Sequence, residues 1–204
     1  MSKSSVLSND KEGFLGERNV LFKSSFGFID MSLKEENREN REEFLAYSKI
    51  TDEETAYMRV EQGKQILKAQ SPGVYTCDGL FTDLPIPLAL PSADCFPVLI
   101  FDEKKYRIAL LHCGWRGAVK ELPLVLLRQY WDIPLDANYL AHIHVFFGPG
   151  ICGNCYQVIN PVQLTFEEDA KSLWMRFMKF NEEKKCWLVD LAEYMQFRLA
   201  QYGV

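Results

Sequence analysis

The chain of 204 residues has few histidines, no excess of positive charge and no long hydrophobic run. Residues 1–16 are polar and of mixed charge, unlike the apolar core of a secretory signal, and no later run reaches the length that spans a bilayer. The formal net charge of -5 argues against nucleic acid or an anionic membrane as the main partner. We therefore expect a cytoplasmic protein that binds a small molecule.

The composition is that of an ordinary globular protein, with 48% hydrophobic and 25% charged residues. A chain of this length can bury one full core, so we predict a leader over residues 1–18 and a single domain over residues 19–204. Without a secretory signal, the six cysteines are predicted to be reduced thiols. Cys152 and Cys155 have the spacing of a redox or zinc half-site, but no second such pair completes it, and we assign them no separate function.

A predicted β-hairpin forms the centre of the sequence. Two apolar runs, 98–101 and 108–111, flank a short polar link. Cys95 precedes the first run and His112 ends the second, so strand pairing would bring both side chains to one edge of the sheet. A thiol beside an imidazole can act as a nucleophile with its base, or the two side chains can be metal ligands. In the alternative interpretation the two residues have only structural roles, Cys95 as a small buried residue and His112 as the end of a strand. Arg116 adds a cation suited to phosphate or another oxyanion.

Apolar periodicity elsewhere predicts several helices. They cover residues 34–47, 118–131 with Pro123 in the first turn or at a kink, 161–180, and a last helix that Asp190 caps. His142 and His144 alternate on a predicted strand and share one of its faces. We interpret these two histidines as polar surface rather than as metal ligands.

Three separated motifs occur in order along the chain. They are Ala93-Asp-Cys-Phe-Pro-Val-Leu, His112-Cys-Gly-Trp-Arg-Gly117, and Gly148-Pro-Gly-Ile with Cys155-Tyr-Gln-Val158. Together they resemble the laccase-domain family, which is also called the multicopper polyphenol oxidase family. Its bacterial members are also named purine nucleoside phosphorylases and peptidoglycan editing factors. The resemblance implies one α+β domain of mixed β-sheet with packed helices, similar to the fold of cysteine hydrolases of the cytotoxic necrotizing factor type.

The resemblance also implies an enzyme that phosphorolyses adenosine, inosine or methylthioadenosine, or deaminates adenosine, with a purine nucleoside and phosphate as its partners. It implies a zinc ion held by His, Cys and His, with Cys95 and His112 at two of these positions. Cys95, His112 and Arg116 are then the candidate catalytic residues. Asp78 and Asp94 are candidate substrate contacts or caps of turns. Three histidines are too few for a copper centre built from many imidazoles, so we expect no copper and no true laccase activity.

The sequence departs from the family pattern at two candidate site positions. Gln62 stands where the family has its first zinc-ligating histidine, and an amide oxygen replaces imidazole poorly on Zn²⁺. A shift of the alignment by one residue would offer the carboxylate of Glu61 instead. Ser25 stands where the family has an arginine near the substrate, and we keep it as a candidate substrate contact. In addition, the chain ends at Val204, before a basic segment that the family has.

Three functional hypotheses follow from this pattern. The first is a purine nucleoside enzyme in which Cys95 and His112 hold zinc or act directly on the substrate. The second is a diverged paralogue that keeps the fold, has lost the zinc site and serves as a binding protein. The third is a metal-free hydrolase or deamidase, in which Cys95 is the nucleophile and His112 its base.

Overall fold

A computed structural model describes residues 13–15, 20–22, 35, 38–46, 49–134, 136–159 and 175–204 of the protein. Its strands are β1 (Gly13–Leu15), β2 (Val20–Phe22), β3 (Ala56–Arg59), β4 (Ile66–Lys68), β5 (Gly73–Thr76), β6 (Gly79–Thr82), β7 (Leu88–Ala89), β8 (Phe96–Asp102), β9 (Arg107–Cys113), β10 (Ile143–Phe147), β11 (Gln157–Val158), β12 (Met178–Asn181) and β13 (Cys186–Val189). Its helices are α1 (Arg38–Ala46), α2 (Trp115–Val119), α3 (Leu122–Val125), α4 (Ala137–Leu140) and α5 (Leu191–Gln201), with a 3₁₀ turn at Asp52–Glu54 and a π turn at Leu126–Tyr130.

A five-stranded sheet lies at the centre of the fold, with the strand order β10-β8-β9-β6-β4. Strands β8 and β9 pair antiparallel from Phe96 opposite Cys113 to Asp102 opposite Arg107. Burial alternates over the first half of β8, which is typical of a strand with one face in the core. The predicted central hairpin is therefore confirmed.

Parallel and antiparallel pairing occur together in this fold. Strand β6 pairs antiparallel with β9 and parallel with β4. A second sheet of order β5-β3-β7 is wholly parallel, whereas a third sheet of order β11-β13-β12 is wholly antiparallel, and β1 pairs with β2. Mixed sheets with helices packed on them confirm the predicted α+β class, while the predicted domain boundary near residue 18 stays a prediction.

The main hydrophobic core lies between the central sheet and helices α2, α3 and α5. Its buried members come from all of these elements and include Val98, Ile100, Leu111, Ala118, Leu122, Tyr194 and Leu199. A smaller cluster joins β3, β6 and the turns beside them, through Ala56, Met58, Ala69, Cys77 and Leu80. Within the described residues, no helix is both long enough and apolar enough to cross a membrane.

The single helix predicted over residues 118–131 is instead broken. Helix α2 ends at Val119, and Glu121 adopts a left-handed backbone conformation with a φ of 51°. The chain then starts α3, where Pro123 occupies the first turn. Proline lacks an N–H group. It is tolerated in the first turn of a helix because the N–H groups there have no acceptor within the helix, but it disrupts a helix that has already begun.

The helix predicted over residues 161–180 is wrong at its C-terminal end, where residues 178–181 form β12 against β13. Residues 160–174, which hold most of that prediction, lie outside the described residues. The last helix is confirmed as α5, because the carboxylate of Asp190 accepts a hydrogen bond of 2.9 Å from the Glu193 N–H. Helix α1 likewise lies within the predicted span 34–47.

Candidate active site

The hairpin register brings Cys95 and His112 together. Phe96 pairs with Cys113, which places Cys95 opposite Gly114, the residue that precedes α2. A methyl group built on Gly114 would lie 2.6 Å from the Cys95 Sγ and 3.9 Å from the His112 Cε1. Both side chains therefore cover the backbone of the same glycine, and only a residue without a Cβ fits beneath them.

Burial favours the neutral forms of both side chains. It raises the pKa of the Cys95 thiol, and the neighbouring Asp94 carboxylate adds to that rise. Burial also lowers the pKa of His112, against an opposing effect of the Asp78 carboxylate. Near neutral pH the pair is therefore a thiol beside a neutral imidazole, rather than the thiolate and imidazolium of an activated cysteine nucleophile.

Asp78 connects this pair to the loop between β3 and β4. Its backbone oxygen accepts a hydrogen bond of 2.8 Å from the backbone N–H of His112. Its Oδ2 accepts a second hydrogen bond of 2.8 Å from the Gly63 N–H. The side chain is buried, and its Oδ1 has no hydrogen-bond partner among the described residues. Buried polar atoms are rarely left unpaired, so this carboxylate oxygen lacks the partner that such an atom usually has.

Two cations point at the same loop. Gln62 has a φ of 58° and lies in the loop rather than on a strand. The Arg116 Nη1 donates to the Gln62 Oε1 at 3.1 Å, and the Lys120 Nζ donates to the Gly63 backbone oxygen at 3.3 Å. The two cations are four residues apart and so lie on one side of the α2 segment. Sequence reasoning missed Lys120, although its spacing from Arg116 was a usable signal.

The described residues do not complete the zinc site that the resemblance predicts. Cys95 and His112 provide two donors, but the side-chain oxygen of Gln62 already accepts a hydrogen bond from Arg116. Glu61 is exposed. In the parts of the chain that the structure describes, no group of three His, Cys, Asp or Glu side chains could hold a metal ion. Zinc therefore stays an untested prediction, and the chemistry proposed below uses no metal.

The loop that follows β10 covers the same end of the hairpin. The Ile151 N–H donates to the Asp94 backbone oxygen at 2.8 Å, while the side chain of Asp94 is exposed. Burial raises the pKa of the Tyr156 hydroxyl, Cys95 adds to the rise, and the Arg116 guanidinium opposes it. The Tyr156 side chain is therefore part of the same electrostatic environment as the candidate catalytic residues. Sequence reasoning missed this role, although Tyr156 lies inside one of the three motifs.

Cys152 and Cys155, in that loop, are joined by a disulfide. The prediction of six reduced thiols is therefore wrong for these two residues, because the turn between them brings their side chains together. Cys77, Cys95, Cys113 and Cys186 are free. Burial raises the pKa of Cys77 to about 12 and that of Cys113 further, which is typical of inert core thiols.

The remaining predicted residues lie outside this cluster. His142 and His144 share one carboxylate, with ring nitrogens 3.3 Å and 3.4 Å from the Glu103 Oε2. All three side chains are partly exposed at the edge strand β10 and its neighbour β8, which agrees with their interpretation as polar surface. Ser25 lies outside the described residues.

Several proteins of similar sequence are named as enzymes that act on purine nucleosides. A purine nucleoside phosphorylase of Deinococcus radiodurans is 31% identical over 138 residues, which are 67% of this chain and 53% of that protein. The match therefore spans about half the length of that relative. Purine nucleoside phosphorylase Cj1217c of Campylobacter jejuni is 26% identical over 98% of this chain and 80% of its own length. Adenosine deaminase RL5 of an unknown prokaryotic organism is 28% identical over 45% of this chain and 34% of its own length.

Solved structures share the fold over nearly the whole chain. YlmD from Geobacillus stearothermophilus has a TM-score of 0.68 at 21% identity and covers 97% of this chain and 74% of its own. Protein NMB0706 from Neisseria meningitidis has a TM-score of 0.69 at 18% identity, with 98% and 78% covered. The family described as multi-copper polyphenol oxidoreductase laccase matches residues 25–204. The protein therefore belongs to the multi-copper polyphenol oxidoreductase laccase family.

Proposed function

We propose that the protein is a purine nucleoside phosphorylase-like enzyme that binds a nucleoside and phosphate beside Cys95 and His112. One observation carries the proposal: the hairpin edge, the buried and unpaired Oδ1 of Asp78 and the guanidinium of Arg116 converge around the loop that holds Gln62 and Gly63. The relatives in Deinococcus radiodurans and Campylobacter jejuni are both named purine nucleoside phosphorylase, which supports a purine nucleoside as the substrate.

Phosphate would bind at the two cations of the α2 segment. Phosphorolysis breaks the bond between the ribose C1′ and the purine nitrogen and forms a bond from C1′ to a phosphate oxygen. Arg116 presents paired N–H donors that match a phosphate, and a charged acceptor binds a guanidinium more strongly than the amide oxygen of Gln62 does. Lys120 adds a second positive charge at the same loop.

The nucleoside would then lie against His112 and Asp78. The departing purine carries negative charge, which a hydrogen bond or proton from a nearby donor stabilises. Because His112 is neutral near pH 7, its imidazole can donate one N–H and accept at the other nitrogen. A ribose hydroxyl that reached the unpaired Oδ1 of Asp78 would supply the hydrogen-bond donor that this oxygen lacks. Cys95 remains a neutral thiol in contact with the same turn.

The test is nucleobase release from adenosine, inosine and methylthioadenosine, with and without phosphate, with ammonia measured in parallel to detect deamination. We expect phosphate-dependent release, and we expect His112→Asn to lower kcat by roughly 10²-fold or more, as for a lost acid–base group. His144→Asn, at the edge strand, is the matched control and should keep the wild-type rate. A wild-type rate in His112→Asn would contradict the proposal.

A second candidate, a binding protein without turnover, is favoured by the hydrogen bond between Arg116 and Gln62. In that case the guanidinium stays on the amide and does not receive phosphate. Calorimetric binding of inosine without nucleobase release would support this candidate. Elemental analysis of untagged protein would also test zinc, which no group of three His, Cys, Asp or Glu side chains among the described residues could hold.

A further inference from the structure

The loop between Ile151 and Tyr156 holds a pair of exposed cysteines at the edge of the candidate site. The Cα atoms of Cys152 and Cys155 are 5.2 Å apart, within the range that a disulfide requires. Both residues are exposed, unlike the buried Cys77, Cys113 and Cys186. Solvent and a reductant can therefore reach this disulfide.

The backbone of this turn is held in the disulfide-forming shape by its own hydrogen bonds and packing. The N–H groups of Cys155 and Tyr156 donate to the Cys152 oxygen at 2.8 Å and 3.0 Å. Gly153 lies against the side chain of Asp190, where an added methyl group would approach the Asp190 Cβ to 2.8 Å. Since Asp190 also caps α5, the middle of the turn is fixed to a rigid element.

Both ends of the turn lead to the candidate site. On one side, the Ile151 N–H is bonded to the backbone oxygen of Asp94, the residue before Cys95. On the other side, Tyr156 follows Cys155 directly. Cys95 raises the pKa of the Tyr156 hydroxyl, and the Arg116 guanidinium lowers it. The Val189 N–H donates to the Tyr156 oxygen at 3.1 Å and fixes the backbone at this end.

We infer that Cys152 and Cys155 form a reversible thiol–disulfide exchange site whose oxidation state changes the access to Cys95, through the turn that the Ile151–Asp94 hydrogen bond joins to the residue before Cys95. The co-reactant is a dithiol reductant. One of its thiolates attacks a sulfur of the disulfide, and its second thiol then releases the mixed disulfide. Two electrons and two protons pass to the protein, which gains two thiols, while the dithiol becomes a disulfide. Reduction removes the covalent link between the two ends of the turn that leads to Tyr156.

The exchange is tested on the full chain equilibrated with mixtures of reduced and oxidised dithiothreitol, acid-quenched and alkylated, with each cysteine quantified by mass spectrometry. We expect Cys152 and Cys155 to change together, over one two-electron transition, while the labelling of Cys186 does not change. Cys152→Ser should abolish the transition, and Cys186→Ser should keep it. Alkylation of both residues even in excess oxidised dithiothreitol, or resistance to excess reduced dithiothreitol, would overturn the inference.

Coupling to the site is measured as the rate at which iodoacetamide modifies Cys95 in the native protein. We expect this rate to differ severalfold between the oxidised and reduced wild type, and to be the same under both conditions in Cys152→Ser. A transition without any change at Cys95 would overturn the coupling between the turn and the candidate site. Neither readout depends on nucleoside turnover, so failure of the proposed function and failure of this inference are distinguishable.

Discussion

At the scale of single residues, His112 links the chemistry of the site to the stability of the fold. Its pKa is lowered by burial in the folded protein, whereas an unfolded histidine titrates near the ordinary value of about 6.5. Below that value the unfolded chain binds more protons than the folded one at this residue. The stability that His112 contributes is therefore complete above the unfolded pKa and is lost as the pH falls through the folded pKa.

The change His112→Gln should make the protein less sensitive to mild acid. Between about pH 7.5 and about pH 5, one proton can add a slope of up to about 1.4 kcal/mol per pH unit to the free energy of unfolding. We expect urea unfolding curves to show a steeper loss of stability on acidification in the wild type than in His112→Gln. His144→Gln, at a partly exposed histidine, serves as the control. Parallel pH dependences in the wild type and His112→Gln would show that His112 is not held neutral by burial.

At the scale of secondary-structure elements, the site depends on the junction between β9 and α2. Gly114 is the only residue between the end of β9 and the first residue of α2, and Cys95, the residue before β8, packs on it. A side chain at this junction would push the hairpin edge away from the helix.

Gly114→Ala should therefore destabilise the fold by about 1–3 kcal/mol, as overpacking of a filled site does. The new methyl group would meet the Cys95 Sγ at 2.6 Å, which is closer than the atoms can approach. Cys95→Ala removes that sulfur, so Gly114→Ala should cost less in the Cys95→Ala background. A double-mutant cycle by urea unfolding measures the difference. An equal cost in both backgrounds would mean that Cys95 does not pack on Gly114.

The elements that could be predicted from the sequence are those with local signals. The alternating apolar runs around residues 98 and 108 give the hairpin, and the carboxylate of Asp190 three residues before Glu193 gives the start of α5. The break at Glu121 was missed because the apolar periodicity continues across it. The contact between Gln62 and Arg116 joins residues 54 positions apart, and nothing local in either stretch indicates it.

At the scale of the whole molecule, the candidate site has two positive charges although the protein as a whole is negatively charged. The formal net charge is -5, yet Arg116 and Lys120 both face the loop of Gln62 and Gly63. A local pair of cations can attract an anionic substrate to an acidic protein. The solved structures share the fold at 18–21% identity, so the architecture is retained while most side chains differ.

The central claim is that Arg116 receives phosphate beside the Cys95–His112 pair. The most direct test is the rate of ribose 1-phosphate formation from inosine as a function of phosphate concentration, in the wild type and in Arg116→Gln. Lys104→Gln is the control, because Lys104 lies over the ring of Tyr139 and away from the loop of Gln62.

We predict saturable product formation in the wild type, and in Arg116→Gln a KM for phosphate raised by about tenfold or more, as for the loss of a charged hydrogen bond worth about 1.5–3 kcal/mol. The KM for inosine should change little, and Lys104→Gln should behave as the wild type does. No ribose 1-phosphate from the wild type, or an unchanged KM for phosphate in Arg116→Gln, would contradict the account.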